Sequence, residues 1–240
     1  VQAEHPDVVF LAEAFTRPKV MAKLAEVGFS QSYTYFAWRT TKQELVDYGE
    51  EVALSAAADY MRPSFWPNTP DILSGPLRNG PPAAFRSRLL LAATLAPTYG
   101  VYSGYELVEA EPMSDANEEY FHSEKYEIRR RDFSDPRSIA PFIRQVNEAR
   151  RRHPALQRLR NLHFHGTTND QVLCWSKVSD DRSDTVLVVC TLDPWNVKEA
   201  SLDLDLDVLG LPWDEPFVAH DELTGETYTW RGRAPYVRFD

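Results

Sequence analysis

Cysteine is scarce in this chain: the 240 residues hold two, Cys174 and Cys190. Two thiols in adjacent apolar segments exclude a disulfide framework and fit core positions in a reducing compartment, so the expected location is cytoplasmic. The six histidines show no HExxH or Cys/His ligand spacing, which leaves no support for a zinc site. No glycine-rich loop of the phosphate-cradling kind occurs either, and neither metal nor cofactor is expected. No apolar run approaches the ~18 residues of a membrane span, and no basic-then-apolar segment opens the chain. Positive charge is in deficit: 26 Lys and Arg against 36 Asp and Glu leave a net charge of −10. Such a surface disfavours nucleic acid and anionic membranes as partners. An initiator Met is lacking as well, and an apolar segment arrives almost at once, so the chain reads as a piece of a longer protein.

What the chain does have is a recurring pattern. Val8–Ala12 is an apolar run of the buried-strand type, and a helix start follows within a few residues. Thr16 is placed to cap that helix with Pro18 in its first turn, and Val20, Leu24 and Val27 share a face before Gly28 ends it. Gln31–Trp38 reads as a strand. Thr41 with Glu44 three residues on forms a capping box, opening a helix with Leu45, Tyr48 and Val52 on one side. Asp59–Trp66 reads as another strand, interrupted by Pro63. Phe85, Leu89, Ala92 and Ala96 mark a third helix, Tyr99–Ser103 a short strand, and Ile139, Phe142, Ile143 and Val146 a fourth helix that ends in Arg150, Arg151 and Arg152. The strand-to-strand spacing is roughly 30 residues, as expected when about 250 residues are divided over the eight βα units of a barrel. Four units are present, and four cannot close a barrel. The stretch from Gly104 to Pro136 is too long for a routine connection and reads as a loop that is either functional or disordered.

After Leu156 short strands separated by Asp, Gly, Pro and Asn turns take over: 171–177, 185–192, 200–204, 217–219, 227–230 and 236–239. The fold class expected is therefore α/β plus all-β. Residues 1–156 supply the C-terminal half of a (β/α)8 barrel and residues 157–240 a β-sandwich domain.

Two acids sit just beyond apolar strands. Glu13 follows Val8–Ala12, where partial desolvation suits a carboxyl to hold and donate a proton. Asp71 follows Phe65-Trp66, two strands on, and alternate strands of a barrel share layers, so the two acids could converge. Two converging carboxylates are the minimum for glycosyl chemistry. Each residue also has a plain structural reading: Glu13 as a solvent-facing or helix-capping group, Asp71 as a turn cap after Pro70.

Four segments, FLAEAFTRP, FWPNTPDIL, YGVYSGYELVE and HSEKYEIRRRDF, occur in an order that resembles the C-terminal half of an α-amylase-superfamily enzyme. More narrowly, they resemble the bacterial maltosyltransferase branch that extends α-1,4-glucans from α-maltose 1-phosphate. The resemblance covers the whole chain and implies the fifth to eighth barrel units followed by the β-sandwich. It makes Glu13 the general acid/base and Asp71 the acid that stabilises an oxocarbenium-like transition state. Lys125 and Tyr126 match positions implied to hold the donor's maltosyl unit, with Asn68 and Trp66 as neighbouring substrate-binding residues. Lys125 on its own residues has a second, lesser reading as one charge of a solvated Glu/Lys/Arg loop, and Arg129, Arg130 and Arg131 go mainly to solvent and ion pairs.

Two departures bear on function. Pro70-Asp71 stands where most amylase relatives have His-Asp, a change the maltosyltransferase branch shares. The aspartate nucleophile implied by the resemblance belongs to a fourth strand absent here, since Glu4 and Asp7 precede the fifth. The expectation is a chain inactive alone, partnered by the N-terminal portion of the same enzyme, acting on α-maltose 1-phosphate and α-1,4-glucan, with the complete enzyme a homodimer. A hydrolase or trehalose-forming isomerase of the same superfamily, and a non-catalytic glucan-binding fragment, are the rival readings.

Overall fold

The computed structural model describes residue 1 and residues 3–239. Of the first apolar run only Leu11–Ala12 (β1) enters a ladder, pairing in parallel with Gln31–Tyr33 (β2). Val8, Val9 and Leu11 are exposed, contrary to the buried strand expected there, because β1 is an edge strand with a neighbour on one side only. Pro18–Glu26 (α1) starts after Arg17; Thr16 does not cap it, and the preset φ of Pro18 begins the first turn. Its buried residues are Met21 and Ala25, while Val20 and Val27 of the expected face lie exposed.

β2 is also shorter than predicted. Tyr35–Trp38 turns into a 3-10 helix, and the reason lies on a later element. Lys42–Leu54 (α2) opens with the expected capping box: Thr41 accepts from the Glu44 amide while Glu44 accepts from Thr41. A single turn, Ala57–Tyr60 (α3), precedes Pro63–Phe65 (β3), so Pro63 begins the strand rather than interrupting it. Pro82–Leu95 (α4) leads to Thr98–Tyr99 (β4). The four strands run parallel in chain order, β1-β2-β3-β4, so all four C-terminal ends share one edge.

α4 is apolar nearly all round because it is covered on several sides, by β4, by Ala140–Arg152 (α5) and by the β-rich part of the chain. Its one buried cation, Arg88, donates to the carbonyls of Phe36 and Arg39, both at 2.7 Å. Those bonds hold the 35–38 turn in place of strand pairing. Arg150 of α5 caps α4 in turn, donating to Ala93 and, at 2.6 Å, to Pro97. Between β4 and α5 the long connection contains a hairpin that the sequence pattern did not disclose, Pro112–Ser114 (β5) with Asn117–Tyr120 (β6).

The remaining strands are Leu162–Thr167 (β7), Val172–Val178 (β8), Thr185–Thr191 (β9) and Lys198–Asp203 (β10); after the turn Leu206–Leu209 (α6) come Pro216–His220 (β11), Thr227–Arg231 (β12) and Tyr236–Phe239 (β13). Five of them form an antiparallel sheet ordered β13-β10-β7-β8-β9, and β11-β12 is a separate hairpin. β7 was not expected. Its His165 reads as polar, yet burial holds its ring pKa down to about 4, and the neutral imidazole is satisfied on both sides. Nδ1 accepts from the Asp205 amide at 3.1 Å and Nε2 meets Ser176 Oγ at 2.8 Å.

Alternation along β8 divides the core. Leu173 and Trp175 join Leu45, Val52, Leu91 and Leu95 of α2 and α4, whereas Cys174 faces Leu202, Leu204 and Leu206. Cys190 lies on the helix side, so the two thiols occupy opposite faces of the sheet, and burial pushes both up to about 12. α2 approaches β7 so closely that a Cβ on Gly49 would stand 2.8 Å from the Phe164 ring.

Candidate active site

The shared C-terminal edge of the parallel strands gathers Glu13 after β1, Tyr33 and Trp38 at and after β2, Trp66, Asn68 and Asp71 after β3, and Tyr102 after β4. Such edges are where parallel sheets carry their ligands. Aromatic rings form the nearer wall. Trp66 stacks on Tyr33 at 4.8 Å and 12°, and its indole N–H donates to Ser64 Oγ at 3.0 Å. A Cβ on Gly100 would fall 2.3 Å from the Trp66 ring, so glycine there lets the indole lie flat. Phe15 sets its edge to Tyr33 at 6.2 Å and to Trp38 at 5.2 Å. Burial raises the Tyr33 hydroxyl pKa, and the charge of Glu13 beside it adds to the rise.

Glu13 is exposed, which corrects the partly desolvated carboxyl expected at that strand end. Its position follows from the same edge-strand geometry that exposes Val8 and Val9. No hydrogen bond or ion pair among the described residues joins Glu13 to Asp71.

Asp71 sits in a tight turn closed by Thr69 and Ile72, which exchange backbone bonds of 3.0 and 3.2 Å. Its carboxylate Oδ1 lies 2.7 Å from Lys125 Nζ, and the same ammonium lies 2.9 Å from Glu119 Oε1. Hydrogen bonds to Asp71 first and Glu119 second raise the Lys125 pKa well above the ordinary lysine range, so the side chain stays charged. Tyr126, its ring under that ammonium at 5.4 Å, donates its hydroxyl to Glu119 Oε2 at 3.3 Å. Asp71, Lys125 and Tyr126 are thus brought together, with Glu119 as the common partner.

Asn68 plays another part. It is fully buried; its amide N–H donates to Tyr120 Oη at 2.5 Å and its oxygen accepts from the Tyr102 amide at 3.0 Å. These bonds tie the loop after β3 to β6 and to the loop after β4. Glu118 makes a parallel tie, accepting the Trp38 indole N–H on both oxygens at 2.9 and 3.1 Å. Loop 122–131 is pinned by Arg131, which is almost buried and pairs with Glu109 at 3.0 Å and Glu124 at 2.9 Å. Arg129 pairs with Glu109 as well, at 2.8 Å, and Arg130 is exposed, in line with the ion-pair reading of this run. No group of His, Cys, Asp and Glu among the described residues could hold a metal ion, and no helix among them is long and apolar enough to cross a membrane.

Sequence reasoning missed Tyr33, Trp38, Glu118 and Glu119. The signal available was Glu118-Glu119 flanked by Asn117 and Tyr120, a short alternating stretch whose two acids a strand would send to opposite faces.

Residues 164–240 match the family model described as GLGE, C-terminal. The chain is 54% identical over 244 residues to alpha-1,4-glucan:maltose-1-phosphate maltosyltransferase 2 of Streptomyces coelicolor, covering 100% of this chain and 36% of that protein. All of this chain is similar to about a third of that maltosyltransferase. Maltosyltransferases of Mycolicibacterium smegmatis and Mycobacterium tuberculosis are 49% and 48% identical, again over the whole chain and over 35% and 34% of their own length. The chain therefore spans about a third of the curated relatives it matches. Among solved structures, the maltogenic alpha-amylase AmyB of Thermotoga neapolitana superposes with a TM-score of 0.56 at 11% identity, over 99% of this chain and 60% of that one. The gamma-CGTase of alkalophilic Bacillus clarkii superposes with a TM-score of 0.62 at 15% identity, over 97% of this chain and 36% of that one. At those identities the likeness is one of fold.

Proposed function

We propose that this chain is the C-terminal part of a retaining maltosyltransferase that moves maltosyl units from α-maltose 1-phosphate to the non-reducing end of α-1,4-glucans. Residues 1–156 form the fifth to eighth units of its (β/α)8 barrel and residues 157–240 its β-sandwich domain. The observation that carries the reading is end-to-end identity of about half to maltosyltransferases of which this chain spans a third. Four parallel strands in chain order, with apolar Val8, Val9 and Leu11 bare along the β1 edge, support an uncompleted barrel. The completing units belong to an N-terminal portion that also supplies the nucleophile and, covering β1, shields Glu13. The setting is glycogen-like glucan elongation in the cytoplasm, which suits two separated, unpaired thiols.

The reaction is a double displacement. A carboxylate of the N-terminal portion attacks the anomeric carbon, and the bond to phosphate breaks with its electron pair leaving on phosphate. Phosphate needs little protonation, so Glu13 matters most in the second step. There it takes the proton of the acceptor's 4-hydroxyl as that oxygen displaces the enzyme carboxylate. Asp71, held by Lys125, stabilises the positive charge that develops on the sugar ring in both steps. Lys125 and Tyr126 hold sugar hydroxyls of the maltosyl unit, Trp66 offers its stacked face, and Asn68 keeps the loops that carry them in register.

The test is phosphate release from α-maltose 1-phosphate by the complete protein with glycogen present. Coupled growth of the glucan in maltosyl steps is the expected result. Free maltose without growth, or trehalose formation, assigns the chain to a hydrolase or an isomerase instead.

A further inference from the structure

We propose that Glu119 is a positioning residue of the sugar site, fixing the Lys125 ammonium and the Tyr126 hydroxyl where they meet the maltosyl unit. This rests on the reading of Lys125 and Tyr126 as donor-holding residues. Strand alternation makes the device. On β6, Glu118 and Tyr120 turn to one side and grip the body of the protein through Trp38 and Asn68, while the backbone carbonyl of Glu118 accepts the Leu73 amide at 2.6 Å. Glu119, between them, turns to the other side, where its two oxygens take Lys125 at 2.9 Å and Tyr126 at 3.3 Å.

The geometry divides the ammonium's three donors. One goes to Asp71 and one to Glu119, which leaves one for a sugar hydroxyl. A lysine side chain otherwise loses much rotamer freedom when it is fixed, and Glu119 removes that cost before the donor arrives. Without Glu119 the ammonium would close on Asp71 alone, and the exposed Tyr126 hydroxyl would lose the carboxylate oxygen that accepts from it. The consequence is a weaker hold on the donor, with the chemical step carried by Glu13 and Asp71 as before.

The experiment uses the complete protein, with phosphate release measured against α-maltose 1-phosphate concentration at saturating glycogen. Glu119→Ala should raise the donor KM about tenfold, the worth of one charge-assisted hydrogen bond, with kcat nearly unchanged. Glu119→Gln should fall between the two, because its amide oxygen still accepts. In a Lys125→Ala background most of the Glu119→Ala effect should disappear. Unchanged melting temperatures show that each variant folds. A donor KM unmoved by Glu119→Ala, or an effect that persists in full without Lys125, overturns the proposal. If Lys125→Ala itself leaves the donor KM unmoved, the donor-holding reading of Lys125 fails first and the role of Glu119 falls with it.

Discussion

Arg88 reaches from α4 to the carbonyl of Phe36 at 2.7 Å, with its guanidinium 4.1 Å above the Phe36 ring. A second N–H meets the Arg39 carbonyl at the same length, so one buried side chain closes the turn that presents Trp38 to Glu118. Burial lowers its pKa to about 10, still far above neutrality, and the charge persists.

Arg88→Met should therefore cost about 2–4 kcal/mol, since two buried carbonyls lose their donors. Arg88→Lys should recover only part of that, because an ammonium lacks the planar fork that serves both acceptors. Urea unfolding of the complete protein measures both.

Lys177 lies wholly buried in β8, donating to the Arg158 carbonyl at 2.5 Å, and burial holds its pKa down to about 7. An unfolded lysine titrates near 10.4, so between pH 7 and about 10 the unfolded chain binds the extra proton. Stability from this group then rises with pH in that window, by up to about 1.4 kcal/mol per pH unit, and is flat below it. Stability curves of the parent and of Lys177→Met, taken from pH 6 to about 9.5, should converge in slope below pH 7 and separate above it.

Glu13→Ala should split the proposed reaction. The first step needs little protonation, so phosphate should appear in a burst equal to the enzyme, while transfer to glycogen slows by orders of magnitude. The trapped maltosyl group should be found on the N-terminal portion. A mass increment within residues 1–240 would reassign the nucleophile.

Gly49→Ala should destabilise the protein by about 1 kcal/mol, opposite to the usual effect in a helix. The new methyl meets the Phe164 ring at 2.8 Å, and overpacking of that kind outweighs the gain in helix propensity. Combining it with Phe164→Leu should restore the loss in thermal unfolding.

The sequence was most informative where local chemistry decides structure. The capping box at Thr41 and Glu44, the apolar faces of α2 and α4, and the acids after β1 and β3 were all legible. It was least informative where a distant side chain decides. Tyr35–Trp38 has strand-like composition, but two donors from Arg88, about fifty positions away in the chain, make it a turn. β7 hid behind His163 and His165, whose rings are accommodated by contacts on other segments. The hairpin holding Glu118 and Glu119 was lost inside a long polar connection, and with it the partner that organises Lys125. Exposure of Glu13 was unreadable for a different reason: a strand pattern states what wants to be covered, and Val8, Val9 and Leu11 beside it stand exposed among the described residues.

The five-stranded sheet carries a single thiol on each of its faces, Cys190 toward α2 and α4 and Cys174 toward Leu202 and Leu204. Each sulfur is a built-in reporter for one layer. Reagents that modify thiolates can reach Cys190 only when the helices lift away, and Cys174 only when the opposite layer opens. Tracking the two modification rates separately would show which layer of the molecule breathes first.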